Sequence, residues 1–228
     1  MKRLKLIALV LTLVVSACGG GGDVQNGPTL TNVAANGQTN FDVSNLATQL
    51  ATYPTEDLNA SELASLPFMR EEEKLAQNVY AQLDGIWSAQ TSTFGNITQS
   101  EATHTEAVRQ LLVKYNLTDP AATLASGVFY DQQLQTLYTQ LVSDGSTTLI
   151  DALKVGVAIE ELDIRDIQNA LTGIDNQDIT AVYENLMKGS RNHLRAFYTA
   201  LTNAGGTYVP QYISLDAFQA IINSEIER

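Results

Sequence analysis

The residues best suited to chemistry in this chain are histidines and carboxylates that interrupt apolar helical faces. The chain contains only two histidines. His104 follows Glu101 by three residues, and His193 follows Ser190 by the same interval, each within a stripe of apolar residues at helical spacing. Residues three apart on a helix are separated by about 60° around its axis, so Glu101 and His104 can converge on one ion. Burying such groups costs on the order of several kcal/mol without a partner, and a metal ion is a suitable partner.

Carboxylates on two further predicted helices complete the candidate site. Glu160 occupies the apolar stripe of one helix, and Asp163 follows almost one turn later. In the acidic run of residues 71–73, Glu73 fits an apolar face, whereas Glu72 fits a neighbouring one and is the alternative ligand. The candidate metal ligands are therefore Glu73, Glu101, His104, Glu160, Asp163 and His193.

Each part of this site has a purely structural alternative. Glu101 and His104 form a surface ion pair if the buried face of their helix is rotated. His193 is an ordinary core histidine if it bonds to a backbone carbonyl or to Ser190. For Asp163, a ligand role and a solvated role are equally compatible with the pattern.

Other charged residues are assigned to the surface. We expect Glu161 and Asp166 to be solvated. We expect the same of two of the three acids at 71–73, because acids in a first helical turn complement the helix dipole. Arg191 and Arg195 flank a histidine and are candidates to hold carboxylates behind the site, although exposed salt bridges are the commoner role.

Four long helices must position these groups. They are predicted from a cap at Ser65 to Gly85, from residues 96–98 to Tyr115, and over 147–171 and 176–204. Shorter helices are predicted over 43–53, 134–141 and 215–226, with an extended segment at 208–213. No sustained two-residue alternation occurs, so the predicted fold class is all-α, a four-helix bundle with short connecting and C-terminal helices.

Several motifs are shared with a known superfamily. Glu73 is followed seven residues later by Tyr80, and Glu101 begins a Glu-x-x-His motif. In these features the chain resembles the ferritin-like superfamily, which includes rubrerythrins and bacterioferritins. It is most similar to a prokaryotic ferritin-like family of unknown function, over about residues 63–222. The segments that carry this narrower resemblance are residues 70–76, 100–104, 159–164 and 189–195.

The resemblance implies a centre of one or two iron or manganese ions. The superfamily pattern has a second Glu-x-x-His on the fourth helix, where this chain has Ser190. One carboxylate is therefore missing, which places the second metal ion in doubt. Asp163 is the candidate substitute.

The N-terminus has the features of a bacterial lipoprotein signal. Basic residues precede an apolar run at 6–15, which is too short to span a bilayer and ends at Ala17-Cys18. We expect removal of residues 1–17 and lipidation of Cys18; the alternative is an ordinary secretory signal cleaved near Ala17. Cys18 is the only cysteine, so the chain cannot form an internal disulfide.

Composition limits the partners and the location. Residues 18–40 are predicted to be a flexible tether and 41–228 the folded domain. The net charge of −12 argues against binding nucleic acid or anionic lipid headgroups, so membrane contact would come through lipidated Cys18. We expect a cell-envelope location, with a slight preference for the outer membrane because Gly19 follows the cysteine, and a homodimer is compatible with the tether.

Three functions follow from these features. The first is iron or manganese redox chemistry with oxygen or peroxide, with electrons from the substrate metal or an external donor. The second is a non-catalytic envelope module that senses metal or binds a partner through a single or degenerate site. In the third, no metal binds and the acids are solvated.

Overall fold

A computed structural model describes residues 29–228 and shows a mostly helical chain, which confirms the all-α prediction. The proposed signal and Cys18 lie outside the described residues. Within the described range there are two strands, β1 Thr31–Val33 and β2 Thr39–Phe41, and seven helices. The helices are α1 Leu46–Leu50, α2 Ala60–Trp87, α3 Thr93–Lys114, α4 Gln132–Gly145, α5 Leu149–Leu171, α6 Gln177–Asn203 and α7 Leu215–Ile222. None of these helices is both long enough and apolar enough to cross a bilayer.

The four long helices enclose two apolar clusters with a polar layer between them. Helix α2 packs against α3 and α5, and α6 packs against the same two helices. A first apolar cluster contains Ile97 of α3 and Val157 of α5, and a second contains Val108 and Ile167 of the same helices. On α2, α3 and α6, the candidate ligands lie in sequence between the residues of one cluster and those of the other, and on α5 they lie close to this boundary, so they meet at one level of the structure.

Helix α2 starts earlier than the predicted cap at Ser65. The side chain of Asn59 accepts N–H bonds from Ser61 and Glu62, while the Glu62 carboxylate accepts the N–H of Asn59 at 2.9 Å. This reciprocal pairing is a capping box, which satisfies N–H groups that a helix start otherwise leaves free. Pro67 therefore lies inside the helix rather than in its first turn.

The remaining helices occur where they were predicted, with shifted ends. Helix α3 begins at Thr93 instead of 96–98, and α7 ends at Ile222 instead of 226. Helix α1 is confined to five residues within the predicted 43–53. Residues 208–213, predicted to be extended, have no regular secondary structure.

A short β-hairpin precedes the helices and is folded onto them. Strands β1 and β2 pair antiparallel, with Thr31 opposite Phe41 and Val33 opposite Thr39. Leu30 and Phe41 are buried in the second apolar cluster. The predicted flexible tether of 18–40 therefore does not extend to residue 40, because its described part, from residue 29, is packed against the domain. Two three-residue strands are too short to give an alternating pattern.

Candidate metal centre

Six side chains from the four long helices form the polar layer. Helix α2 contributes Glu73, α3 contributes Glu101 and His104, α5 contributes Glu160 and Asp163, and α6 contributes His193. Each of the six is at most 2% exposed. Burial of Glu101 and His104 rules out the alternative of a surface ion pair.

Glu101 connects the two histidines. Its Oε2 lies 3.1 Å from Nδ1 of His104, and its Oε1 lies 2.8 Å from Nδ1 of His193. The second contacts are longer: Glu73 Oε2 is 3.4 Å from His104 Nδ1, and Glu160 Oε2 is 3.6 Å from His193 Nδ1. The two imidazole rings stack with centroids 5.3 Å apart and planes inclined by 18°. Both histidines thus present Nδ1 to the same group of carboxylates.

These atoms lie at ion-pair distances, but their directions do not meet hydrogen-bond geometry. Within residues 29–228, both oxygens of Glu73, both oxygens of Glu101 and both ring nitrogens of His193 are buried and have no hydrogen-bond partner. One ligand atom from each of Glu101, His104 and His193 lies within 4.8 Å of the other two. Buried carboxylate and imidazole atoms that converge without well-directed hydrogen bonds are what a cation compensates, so the residues fit a bound metal ion.

The alternative for His193, a core histidine bonded to a carbonyl or to Ser190, does not describe the structure. The Ser190 hydroxyl instead donates to the Leu186 carbonyl at 3.2 Å. It is His104 that contacts a backbone carbonyl, that of Thr39, at 2.7 Å from its Nε2. Sequence reasoning missed this contact because a main-chain carbonyl leaves no side-chain signal.

Tyr80 holds Glu160 in place from within α2. Its hydroxyl donates to Oε1 of Glu160 at 2.6 Å and is fully buried. Burial, followed by the nearby charge of Glu160, raises the pKa of the tyrosine well above its usual range. The oxygen Oε2 of Glu160 remains free to face the cluster.

The acidic run on α2 divides into three roles. Glu73 faces His104, whereas Glu71 accepts the N–H groups of Tyr130 and Asp131 at 2.5 and 2.9 Å. Glu72 is 5% exposed, and burial followed by the carboxyl of Asp166 raises its pKa well above the usual value. The prediction that two of these acids are solvated is therefore wrong.

Glu161 is likewise buried rather than solvated. It accepts the hydroxyl of Tyr208 at 2.5 Å and the N–H groups of Gln211, Tyr212 and Ile213 at 3.2 to 3.4 Å. It therefore anchors the segment between α6 and α7 to α5. The predicted surface role of Asp166 is closer to the structure, since its side chain is 18% exposed and paired with Arg165 at 2.6 Å.

The two arginines near His193 do not reach the cluster. Arg191 and Arg195 instead pair with Glu227 near the C-terminus, at 2.5 and 2.7 Å. Arg195 also donates to the carbonyl of Ile221 at 2.9 Å. Both therefore fix the C-terminal segment to α6.

Burial and mutual charge set opposing pKa shifts in the cluster. Burial raises the pKa of Glu73 to about 7, although His104 acts to lower it. Burial alone would raise the pKa of Glu101, but the imidazoles of His104 and His193 hold it well below its ordinary value. Burial acts to lower the pKa of His193, but Glu160 and Glu101 outweigh it and raise the value to about 9.

Asp163 belongs electrostatically to the same cluster. Burial raises its pKa well above the usual value, and the next causes are the charges of Glu73, Glu72 and Glu160. Four carboxylates therefore share the polar layer with two imidazoles. This mixture of oxygen and nitrogen donors suits iron and manganese.

The chain matches proteins known from sequence and structure. It is 48% identical over 179 residues to the uncharacterized protein MJ0754 of Methanocaldococcus jannaschii, which covers 78% of this chain and 96% of that protein. The crystal structure of the hypothetical protein MJ0754 from Methanococcus jannaschii DSM 2661 aligns with a TM-score of 0.74 and 48% identity. That alignment covers 76% of this chain and 98% of the other. Residues 62–225 match the family described as an uncharacterized protein domain (DUF2202), and the chain belongs to that family.

Proposed function

We propose that this protein binds one or two iron or manganese ions between its four long helices and uses them in redox chemistry with oxygen or peroxide. The observation that carries the proposal is the convergence of buried carboxylate oxygens and imidazole nitrogens that have no hydrogen-bond partner among the described residues. Packing such a set without a cation would be strongly destabilising.

The residues that would hold the metal are the six of the polar layer: Glu73, Glu101, His104, Glu160, Asp163 and His193. Iron or manganese in such a donor set supplies one-electron and two-electron redox steps. The chain's own residues orient the ligands and exclude water. Tyr80 fixes one oxygen of Glu160, and the apolar clusters on either side keep the layer dry.

We also propose that the four long helices form a ferritin-like bundle. The seven-residue interval from Glu73 to Tyr80 and the Glu101-x-x-His104 motif support it, since these side chains lie in one buried layer. Within residues 29–228 there is no cysteine, so electrons would come from the substrate metal or from an external donor.

We place the protein in the cell envelope, anchored through lipidated Cys18, with its acidic domain held off the membrane. The test is Cys18→Ala, which should move the protein from the membrane fraction to the soluble fraction. Continued association of this variant with membranes would contradict the anchor.

A second function has a specific observation in its favour. Among the described residues, Glu101, His104 and His193 are the only set of three potential ligands whose ligand atoms all lie within 4.8 Å of one another, and Ser190 is engaged with Leu186. This arrangement favours one ion in a non-catalytic module that senses metal or binds a partner.

Metal analysis distinguishes the two functions. The chain from Thr29 onward is purified without chelator, supplied with Fe(II) or Mn(II), and analysed for bound metal. About two ions per chain supports the redox centre and about one supports the module. No bound metal, or bound metal that Glu101→Ala and His104→Ala leave unchanged, would refute both.

Oxygen consumption then tests the chemistry. On addition of Fe(II), an oxidase consumes oxygen in proportion to the iron added, beyond the rate of iron alone. A passive binder shows no such excess, and Glu101→Ala serves as the control that lacks the central ligand.

A further inference from the structure

The β-hairpin reaches the metal centre from outside the four long helices. The carbonyl oxygen of Thr39 lies 2.7 Å from Nε2 of His104. A carbonyl can only accept, so Nε2 carries the hydrogen and Nδ1 is turned toward Glu101 and Glu73. Phe41 packs with its edge against the same imidazole, with ring centroids 5.6 Å apart. The hairpin therefore fixes which nitrogen of His104 faces the carboxylates.

Three side chains of α3 and α6 hold the hairpin in this position. The N–H of Thr39 donates to the Ser100 hydroxyl, and the N–H of Phe41 donates to the Thr103 hydroxyl, both at 3.0 Å. The amide of Asn192 donates to the hydroxyl of Thr39, also at 3.0 Å. Each of these three anchors directly precedes a proposed metal ligand in the sequence. The ligands that follow them are Glu101, His104 and His193.

Each anchor and the ligand that follows it point in different directions from their helix. Consecutive helical residues point about 100° apart, so one residue faces the hairpin while the next faces the cluster. The hydrogen bonds of the hairpin to Ser100 and Asn192 are therefore made at positions adjacent to the candidate ligands Glu101 and His193. Ser100, Asn192 and the Thr39 side chain between them are completely buried.

The hairpin turn is also fitted closely to α6. Gly37 has a positive φ of 91°, which favours glycine. A Cβ atom at this position would lie 3.0 Å from the Asn192 carbonyl oxygen and 3.2 Å from Cβ of Ala196. The turn therefore approaches the backbone of α6 directly beside His193.

We propose that the hairpin, residues 31–41, is a positioning element of the metal centre. It keeps Nδ1 of His104 directed at the cation and holds α3 and α6 so that their ligands converge. This inference rests on the proposed metal binding. The hairpin precedes residues 62–225, which match the family. The metal centre is therefore supported by a segment outside the matched domain.

The test uses two hydroxyl deletions in the full chain, Thr39→Val and Ser100→Ala, separately and together. Neither residue is a proposed ligand. The matched control is Thr98→Val on the same helix, whose hydroxyl donates only to the Phe94 carbonyl of its own helix, at 2.8 Å. Co(II) is the probe, because it is bound by the same donors and is stable in air.

We expect the double variant to bind Co(II) about tenfold more weakly or worse, with unchanged stoichiometry, as for other losses of support behind a metal ligand. The control should bind like the wild type. The single variants are measured in parallel and checked by circular dichroism, so that misfolding of the double variant leaves two folded proteins to compare.

A second measurement reports on the imidazole itself. In protein with ¹⁵N-labelled histidine loaded with Co(II), the Nε2–H of His104 should exchange slowly with water, and in the variants it should exchange faster. A general loss of stability would accelerate backbone exchange throughout the chain, which a uniformly ¹⁵N-labelled sample of the same variant reveals.

The outcomes separate the two proposals. If the wild type binds no Co(II), the metal function fails and the positioning role fails with it. If the wild type binds Co(II) and the folded variants match it in affinity and in imidazole exchange, the hairpin inference alone is overturned.

Discussion

At the scale of single residues, Ser190 and Asp163 decide how many ions the polar layer can hold. Ser190 precedes His193 by three residues, the position that Glu101 has relative to His104, and its hydroxyl is engaged with the Leu186 carbonyl. Asp163 is buried, and after burial itself the charges of Glu73 from α2 and of Glu72 and Glu160 help to raise its pKa. With Asp163 the layer contains four carboxylates, so under the proposed function α5 would supply a carboxylate where α6 has a serine.

The first prediction concerns Asp163→Asn. We expect bound metal to fall from about two ions to about one per chain, because a neutral amide replaces a charged ligand. The metal-free protein should become more stable toward urea, because a buried acid repelled by its neighbours is removed. Glu184→Gln, an exposed change on α6, is the control for both measurements. Unchanged stoichiometry in Asp163→Asn would exclude this residue as a ligand.

The second prediction concerns pH. Glu73 has a pKa raised from 4.5 to about 7 by burial, and His193 has one raised from 6.5 to about 9 by Glu160 and Glu101 acting against burial. A raised pKa contributes stability that is complete below the unfolded value and is lost as the pH rises through the folded value. The metal-free protein should therefore lose stability between about pH 5 and about pH 9.

Metal affinity should instead increase with pH over the same range, because the protons that compete with the ion are released. Urea unfolding with and without chelator, repeated across that range, measures both trends. A metal-free profile that is flat or rises with pH would contradict the raised pKa values of Glu73 and His193.

Helical spacing predicts that the candidate ligands are buried, but it does not predict which groups they contact. Glu101 and His104 lie on an apolar stripe, and both are buried. Glu161 could not be recognised in this way, because its partners come from the N–H groups of a segment about 50 residues later. Helical spacing shows which residues share a face of one helix. It cannot show that a distant loop packs against that face.

At the scale of elements, close packing of α6 on α3 depends on Gly189. A Cβ atom at Gly189 would lie 2.5 Å from Cε1 and 2.9 Å from Nε2 of His104. The absence of a side chain lets the imidazole lie against the backbone of α6. One glycine thus sets the distance between the two helices that carry histidines.

The third prediction is that Gly189→Ala displaces His104. The added methyl group should destabilise the protein by about 1 to 3 kcal/mol, as overpacking does, and weaken metal binding. Gly85→Ala is the matched control, since Gly85 is a helical glycine of α2 with nothing within 4 Å of an added Cβ. Gly85→Ala should raise the free energy of unfolding by about 0.5 to 1 kcal/mol. Urea unfolding and metal titration check both, and equal effects of the two substitutions would refute the packing role.

The elements themselves were predictable to different degrees. The long helices follow from apolar spacing, and the Asn59-x-x-Glu62 capping box that starts α2 is also visible in the sequence, although the cap is predicted at Ser65. The hairpin was missed because Thr31–Val33 and Thr39–Phe41 are too short for a pattern. Their folding depends on hydrogen bonds to Ser100 and Thr103, which only the assembled structure provides.

At the scale of the whole molecule, the polar layer divides the core and connects all four long helices. The first apolar cluster lies on one side, with Trp87 packed against it, and the second lies on the other. Without a cation, the layer holds four acids and two histidines, and most of the side-chain atoms of Glu73, Glu101 and His193 that face it have no hydrogen-bond partner in the described chain. A metal ion bound there joins α2, α3, α5 and α6 at one point, so its effect should reach both clusters.

The last prediction is therefore that metal stabilises the entire domain. With free Mn(II) at about 100 times its Kd, the free energy of unfolding should rise by about 2.7 kcal/mol over that in chelator. Fluorescence of Trp87 and the helical circular dichroism signal should shift together, because the ion holds the two clusters in one cooperative unit. Glu101→Gln keeps the size of the central ligand but removes its charge, so it should abolish the shift. A shift of equal size in this variant, or one seen by Trp87 alone, would place the bound ion outside the polar layer.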